Sequence, residues 1–191
     1  MDFSLYKYPI SSFISFELIN QVEKMIINRD NKVLSLEKLA EKVERLKKNG
    51  QTIAMCHGCF DILHVGHLRH LEAAKKLADI LIITITPDRF VNKGPNRPVF
   101  PEYQRAELLA GLNVVDLVAI NKWDSAIETI RIIKPNIFIK GQEYETHAMQ
   151  VNPNFISEAK VVGEIGAKIA FTHELTSSST SAFKRLTEIS K

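Results

Sequence analysis

His64 and His67 stand three residues apart, with Gly66 between them, where an apolar run gives way to helical periodicity. The run Thr52–Cys56 reads as a buried strand, Gly58 breaks it, and a helix starts near Val65. A helix N-terminus presents unsatisfied N–H groups and a partial positive charge. A glycine there lets an anion approach the backbone, at a cost in helix propensity that calls for a reason. Two imidazoles able to donate hydrogen bonds complete a site suited to phosphate oxygens. Other residues can do similar work. Lys93-Gly-Pro-Asn-Arg-Pro98 must be a loop, and Lys93 and Arg97 put two cations on it, as a charged turn or an anion contact. Lys140-Gly141 follows an apolar strand, and Ser178-Ser179-Thr180 opens a helical stretch, where hydroxyls either cap the helix or hold oxygens. His57, His70 and His147 read as surface or structural histidines.

The elements that must position these groups alternate from Gln51 onward. Strands are expected at 52–56, 80–86, 117–120, 137–140 and 167–171, and helices at 65–78, 102–112, 125–133, 155–165 and 180–189. Short apolar strands without polar alternation are buried on both faces, so the fold class is α/β: a Rossmann-like parallel sheet with helices on both sides. Such sheets bind ligands beyond the carboxyl ends of their strands, where strand order reverses. The first of these strands ends where the histidine segment begins. Upstream, Leu36, Leu39, Ala40, Val43 and Leu46 recur at helical spacing between a Ser35 cap and an Asn49-Gly50 stop. Residues 1–34 show no clear core pattern beyond a short amphipathic stretch at 13–27. The helix at 35–48 packs against the domain edge or, as its functional alternative, forms a dimer contact; the expected division is a helical extension over 1–50 and a catalytic domain over 51–191.

Composition narrows the function classes. With 191 residues, 45% hydrophobic and 25% charged, the chain can bury a real core. Its net charge of +3 is dispersed, unlike the basic stripe that nucleic-acid binding needs. No apolar run approaches the roughly 20 residues of a membrane span, and the start lacks a signal-peptide pattern, so a cytoplasmic protein is expected. Cys56 and Cys59 form a Cys-x-x-Cys pair, but no second pair exists to complete a structural zinc site. They read as a buried strand residue and a turn residue beside the ligand, and no protein metal site is expected.

His64-Val65-Gly66-His67 and Gly58-Cys59-Phe60-Asp61 resemble the His-x-Gly-His and Gly-x-Phe-Asp motifs of the nucleotidylyltransferase superfamily. From about Gln51 to the C-terminus the chain is similar to its cytidylyltransferase-like branch. Within that branch it resembles the heptose-1-phosphate adenylyltransferase half of ADP-heptose synthases and, further off, glycerol-3-phosphate cytidylyltransferases. The resemblance implies transfer of a nucleotidyl group from ATP or CTP to a sugar or alditol phosphate, with pyrophosphate released. It implies catalytic roles for His64, His67, Lys93 and Arg105 and a substrate contact for Arg97. Nucleotide binding would fall to Gly58, Cys59, Phe60, Asp61, Gly66, Lys140, Gly141, Ser178, Ser179 and Thr180. Mg²⁺ would ride mainly on the triphosphate. A sugar-kinase domain or subunit and a homodimer are the implied partners. His173 and Thr176 depart from the Arg-x-x-Gly of several relatives, which removes one expected phosphate contact. A nucleotide-binding module without catalysis is the competing class.

Overall fold

A computed structural model of the chain describes residues 31–146 and 152–173. Among these, six parallel strands form one sheet in the order β1-β4-β3-β2-β5-β6. They are β1 (Val33–Leu34), β2 (Ile53–Gly58), β3 (Ile80–Ile85), β4 (Leu117–Ile120), β5 (Ile137–Gly141) and β6 (Lys168–Thr172). The helices are α1 (Leu36–Lys48), α2 (Val65–Lys75), α3 (Glu102–Ala110), α4 (Ile127–Ile133), α5 (Glu143–Thr146) and α6 (Pro153–Glu164).

Strand alternation divides the core into two layers. Ile53, Met55, Ile82, Leu117, Ala119 and Phe138 pack under α1, α4 and α6. Ala54, Cys56, Leu81, Ile83, Val118 and Ile139 point the other way, against α2 and α3. This two-sided burial is why the strands carry apolar residues at successive positions. Each fully buried Leu or Ile contributes about 1.5–3 kcal/mol, so the central strands anchor the domain.

The helix at 36–48 forms as its pattern requires. Ser35 accepts the Lys38 N–H at 3.3 Å, Leu36, Leu39 and Val43 are buried, and Gly50 adopts φ +80° just past the end. Its place corrects the expected boundary at residue 50. The compact unit begins at Lys32, because β1 pairs with β4 and α1 covers the sheet. The two residues of β1 are too few to show a period. Three further differences are local: α2 stops at Lys75, a 3-10 turn covers Asp88–Phe90, and α5 was not expected. The expected helix at 180–189 and the 13–27 stretch lie outside the described residues.

Candidate active site

The strand order reverses between β2 and β5. From β2 the chain runs outward through β3 and β4 on one side, then returns to build β5 and β6 on the other. The crevice beyond that reversal is therefore edged by His57-Gly58, which end β2, with Cys59 just after them, and by Lys140-Gly141, which end β5.

α2 starts at this crevice with an unusual cap. His64 is its N-cap, and its Nδ1 accepts the Gly66 N–H at 3.1 Å. His67 reaches back, its Nδ1 accepting the His64 N–H at 3.3 Å. The two histidines thus form the reciprocal capping box usually built from Ser or Thr and Glu. With both Nδ1 atoms acting as acceptors, the proton of each neutral ring lies on Nε2. The rings lie 3.9 Å apart, centroid to centroid, and His67 also packs on Phe60 at 5.5 Å. Burial, then the neighbouring His64, Lys93 and His70, pulls His67 down to about 3, while burial and Lys93 lower His64. Near neutral pH both rings are uncharged donors. The Gly66 N–H, expected to face a phosphate, is occupied by His64.

Asp61 and Arg97 take roles other than the expected ligand contacts. Arg97 Nε donates to Asp61 Oδ2 at 2.6 Å, with the two side chains 1% and 0% exposed. Asp61 also accepts the N–H groups of Val99 (3.0 Å) and Phe100 (3.2 Å). It therefore clamps the stem of the loop that carries Lys93. Phe60 and Ile62, on either side of it, adopt φ of 50° and 54°. That left-handed conformation is costly for such side chains and marks a turn whose geometry is imposed from outside.

Arg105 likewise contacts no open space. Its side chain is fully buried, with Nε donating to Phe100 O (2.9 Å), one terminal nitrogen to Cys59 O, and the other to Thr86 O (2.9 Å) and Asp88 Oδ1 (2.6 Å). The guanidinium's fork of donors gathers carbonyls from the ends of β2 and β3, which lysine could not do. In place of the expected phosphate contact it is a positioning residue. Phe60 is likewise a packing residue, 8% exposed, under Gly58 and against His67.

Lys93 stays exposed and bridges two features. Its charge acts on both His64 and His67, and it also borders a cavity of about 440 Å³. Gly58, Cys59 and Lys140 share that cavity wall, with Thr86, Tyr144 and Glu158. Lys140 Nζ sits 2.8 Å from Glu158 Oε2, and 4.9 Å from the centre of the Tyr144 ring. Glu158 Oε1 accepts the Ala126 N–H at 3.1 Å. Glu158 escaped sequence reasoning because one acid on an amphipathic helix looks like a surface residue; only its apolar neighbours Phe155, Val161 and Val162 hinted at burial. Gly141 ends β5 beside the cavity, with the Glu143 carboxylate close to it.

The remaining expectations are placed as follows. His57 stands beside Thr84 at 2.9 Å and is held near pKa 3, chiefly by burial; His70 bonds Thr172 at 2.6 Å. His173 pairs with Glu145 at 2.6 Å. Cys56 is buried in the core, its thiol pushed up to about 12 by burial, while Cys59 borders the cavity. Ser178, Ser179 and Thr180 lie outside the described residues.

Among the described residues no helix is long and apolar enough to cross a membrane. Two curated relatives are bifunctional proteins HldE. The one from Campylobacter fetus subsp. fetus is 38% identical over 141 residues, which are 73% of this chain and 30% of that protein. The one from Sulfurimonas denitrificans is 36% identical over 162 residues, or 83% and 34%. The chain thus spans 30% to 34% of the length of these relatives. Among solved structures, a lipopolysaccharide core biosynthesis protein from Thermoplasma volcanium superposes with a TM-score of 0.56 at 28% identity, over 66% of this chain and all of that one. A pantoate–β-alanine ligase from Francisella tularensis, at 18% identity and TM-score 0.56 over 80% of this chain and 72% of its own, shares the fold alone. The cytidylyltransferase-like family matches residues 55–185, a span running from the core of β2 past the last described strand. With that match over more than half its length, this chain belongs to the cytidylyltransferase-like family of nucleotidyltransferases.

Proposed function

We propose that the chain joins a nucleoside triphosphate to a sugar phosphate with release of pyrophosphate, the pair being ATP and D-glycero-D-manno-heptose 1-phosphate. One observation carries the reaction type: two neutral Nε2–H donors held side by side at a strand-end crevice, next to Lys93. An acceptor phosphate oxygen attacks the α-phosphorus. A new P–O bond forms while the bond from the α-phosphorus to the bridging oxygen breaks, and pyrophosphate leaves with its electrons. Such transfer is mainly positioning and electrostatics and needs no protein nucleophile. His64 and His67 donate to oxygens that gain charge as the bond breaks, and Lys93 attracts the phosphates as a point charge. Ser178, Ser179, Thr180 and the Lys140-Gly141 strand end complete the nucleotide's surroundings in this reading.

Mg²⁺ is taken to arrive with the triphosphate, where it neutralises phosphate oxygens and keeps much of its water. The HldE likeness supports the heptose substrate and a sugar kinase, fused or separate, as the working partner; the cytoplasm is the location this reading takes.

Pyrophosphate release across a matrix of triphosphates and sugar or alditol phosphates tests the proposal. ATP with heptose 1-phosphate should give the highest kcat/KM; CTP with an alditol phosphate is the pair that would displace it, as the family's description suggests. His67→Ala should cost about 10²–10³ in rate, the usual toll for one such donor. Near-normal turnover in that variant would sink the reading. A thermal shift with one nucleotide and no turnover with any pair would leave a binding module.

A further inference from the structure

We infer that His70 is a positioning residue: through Thr172 it fixes the exit of β6, from which the chain runs on to Ser178-Ser179-Thr180, and so sets the grip on the triphosphate. The effect on the triphosphate rests on the transfer reading above. The clamp itself rests on three observations.

The first is where His70 stands. It follows His67 by three residues on α2 and therefore lies on the same side of the helix, one turn further on. Its Nδ1 lies 2.6 Å from Thr172 Oγ1, in a residue only 5% exposed. Burial lowers the His70 pKa against the pull of Glu143, so near neutral pH two uncharged groups make this bond. His70 also acts on His67. One side of α2 thus carries the histidine donors at its start and the hold on β6 behind them.

The second is the state of β6. Among the described residues it is the last strand of the sheet and pairs with β5 alone. A strand end with so few neighbours opens at low cost unless something else holds it. Here four contacts do. Phe171 packs on Phe155 of α6, with 6.1 Å between ring centres, while Thr172 points to the other face and meets His70. Thr172 O accepts the Gln142 N–H at 2.9 Å, and His173 pairs with Glu145 of α5. Of these four, the His70–Thr172 bond is the one that joins β6 to the helix of His64 and His67.

The third is direction. Around this bond the layer under α2 is apolar, with Leu71 and Ala74 against Ile83 and Ile139. Apolar contact has no preferred direction, whereas a hydrogen bond fixes both distance and angle. Replacing both partners by apolar groups of the same shape would be nearly neutral for stability. What the bond adds is therefore placement, and Thr172 lies six residues before Ser178.

That difference gives the test: His70→Leu, Thr172→Val and the double variant, each measured for melting temperature, kcat and both KM values. Each single variant leaves a buried group unpaired and should melt below the wild type, and the double variant should melt close to it. Placement does not return with stability. KM for ATP should be raised about three- to tenfold in all three variants, the range open to one directional bond, and the double should be no worse than the singles. KM for heptose 1-phosphate should stay at its wild-type value. A KM for ATP that is unchanged in the singles, or that recovers in the double together with the melting temperature, makes the pair merely structural and overturns the proposal. If the wild type turns over no pair, the transfer reading falls and calorimetric ATP binding decides the clamp: a weakened double variant upholds it, and wild-type affinity overturns it. A wild type that binds no ATP overturns both.

Discussion

Replacing Arg105 by alanine discriminates between its two possible roles, because the effects fall on different measurements. The guanidinium, itself buried, donates to three backbone carbonyls, those of Cys59, Thr86 and Phe100. Bonds from a charged donor contribute about 1.5 kcal/mol each at the low end of their range, so the three together amount to about 4–5 kcal/mol. The ion pair with Asp88 adds little, since that carboxylate is 40% exposed and screened. For a domain of this size each kcal/mol shifts the melting temperature by about 2–4 °C, so Arg105→Ala should lower it by about 10–15 °C. Arg105→Lys, with one ammonium in place of a fork, should recover only a minor part. Thermal and urea unfolding followed by circular dichroism read the effect directly. A phosphate-binding arginine would behave in the opposite way: stability nearly unchanged and a raised KM for the triphosphate. A loss smaller than about 2 °C combined with that KM change would refute the latch described here.

Three shorter expectations follow from other contacts. Asp61→Ala should remove the acceptor of the Val99 and Phe100 N–H groups and of Arg97 Nε, at a cost of about 2–3 kcal/mol, and should speed proteolysis within 92–98; undiminished stability would disprove the clamp. His57 and His67 are each held near pKa 3 against an ordinary 6.5, so the unfolded chain takes up protons there that the fold refuses. Stability should accordingly fall as pH drops from about 6.5 towards 3, by up to about 1.4 kcal/mol per pH unit for each ring; His57→Gln should reduce the slope between pH 6 and 5 by about one proton, and an unchanged slope argues against the burial. Gly141→Ala would bring a Cβ to 2.2 Å from Glu143 Oε2, but that atom ends a flexible side chain. The change should cost under about 1 kcal/mol, and a larger loss would mean Glu143 cannot move.

Much of the fold was legible because its cues are local. Successive apolar residues along 53–56, 80–85 and 137–139 have no other use than a sheet covered on both faces, and Ser35 and Asn49-Gly50 bracket α1 as caps should. The histidine pair was legible for the same reason, since glycine at the second position of a helix needs an explanation. What stayed hidden depended on distance in sequence. Arg97 and Asp61 are 36 residues apart, and Arg105 and Cys59 are 46 apart. Composition cannot distinguish an arginine that meets a ligand from one that gathers buried carbonyls, because both need the same fork of donors. Glu158 shows the converse: its function comes from Lys140 on another element, and nothing within its own helix records that partner. The boundary near residue 50 failed for a related reason, since α1 is amphipathic whether it covers this sheet or another chain.

The reciprocal cap at the start of α2 separates two kinds of selection on the same residues. A serine at 64 with a glutamate at 67 would satisfy the same backbone groups, so His64→Ser with His67→Glu should fold and melt much as the parent does. It would carry no Nε2–H donor and would put a carboxylate where the proposed reaction brings phosphate oxygens. A library screened for solubility or heat resistance would accept that chain readily. In the proposed reaction it is the pair of Nε2–H donors that requires histidine here, and its loss would pass unnoticed in any assay that counts only folded molecules.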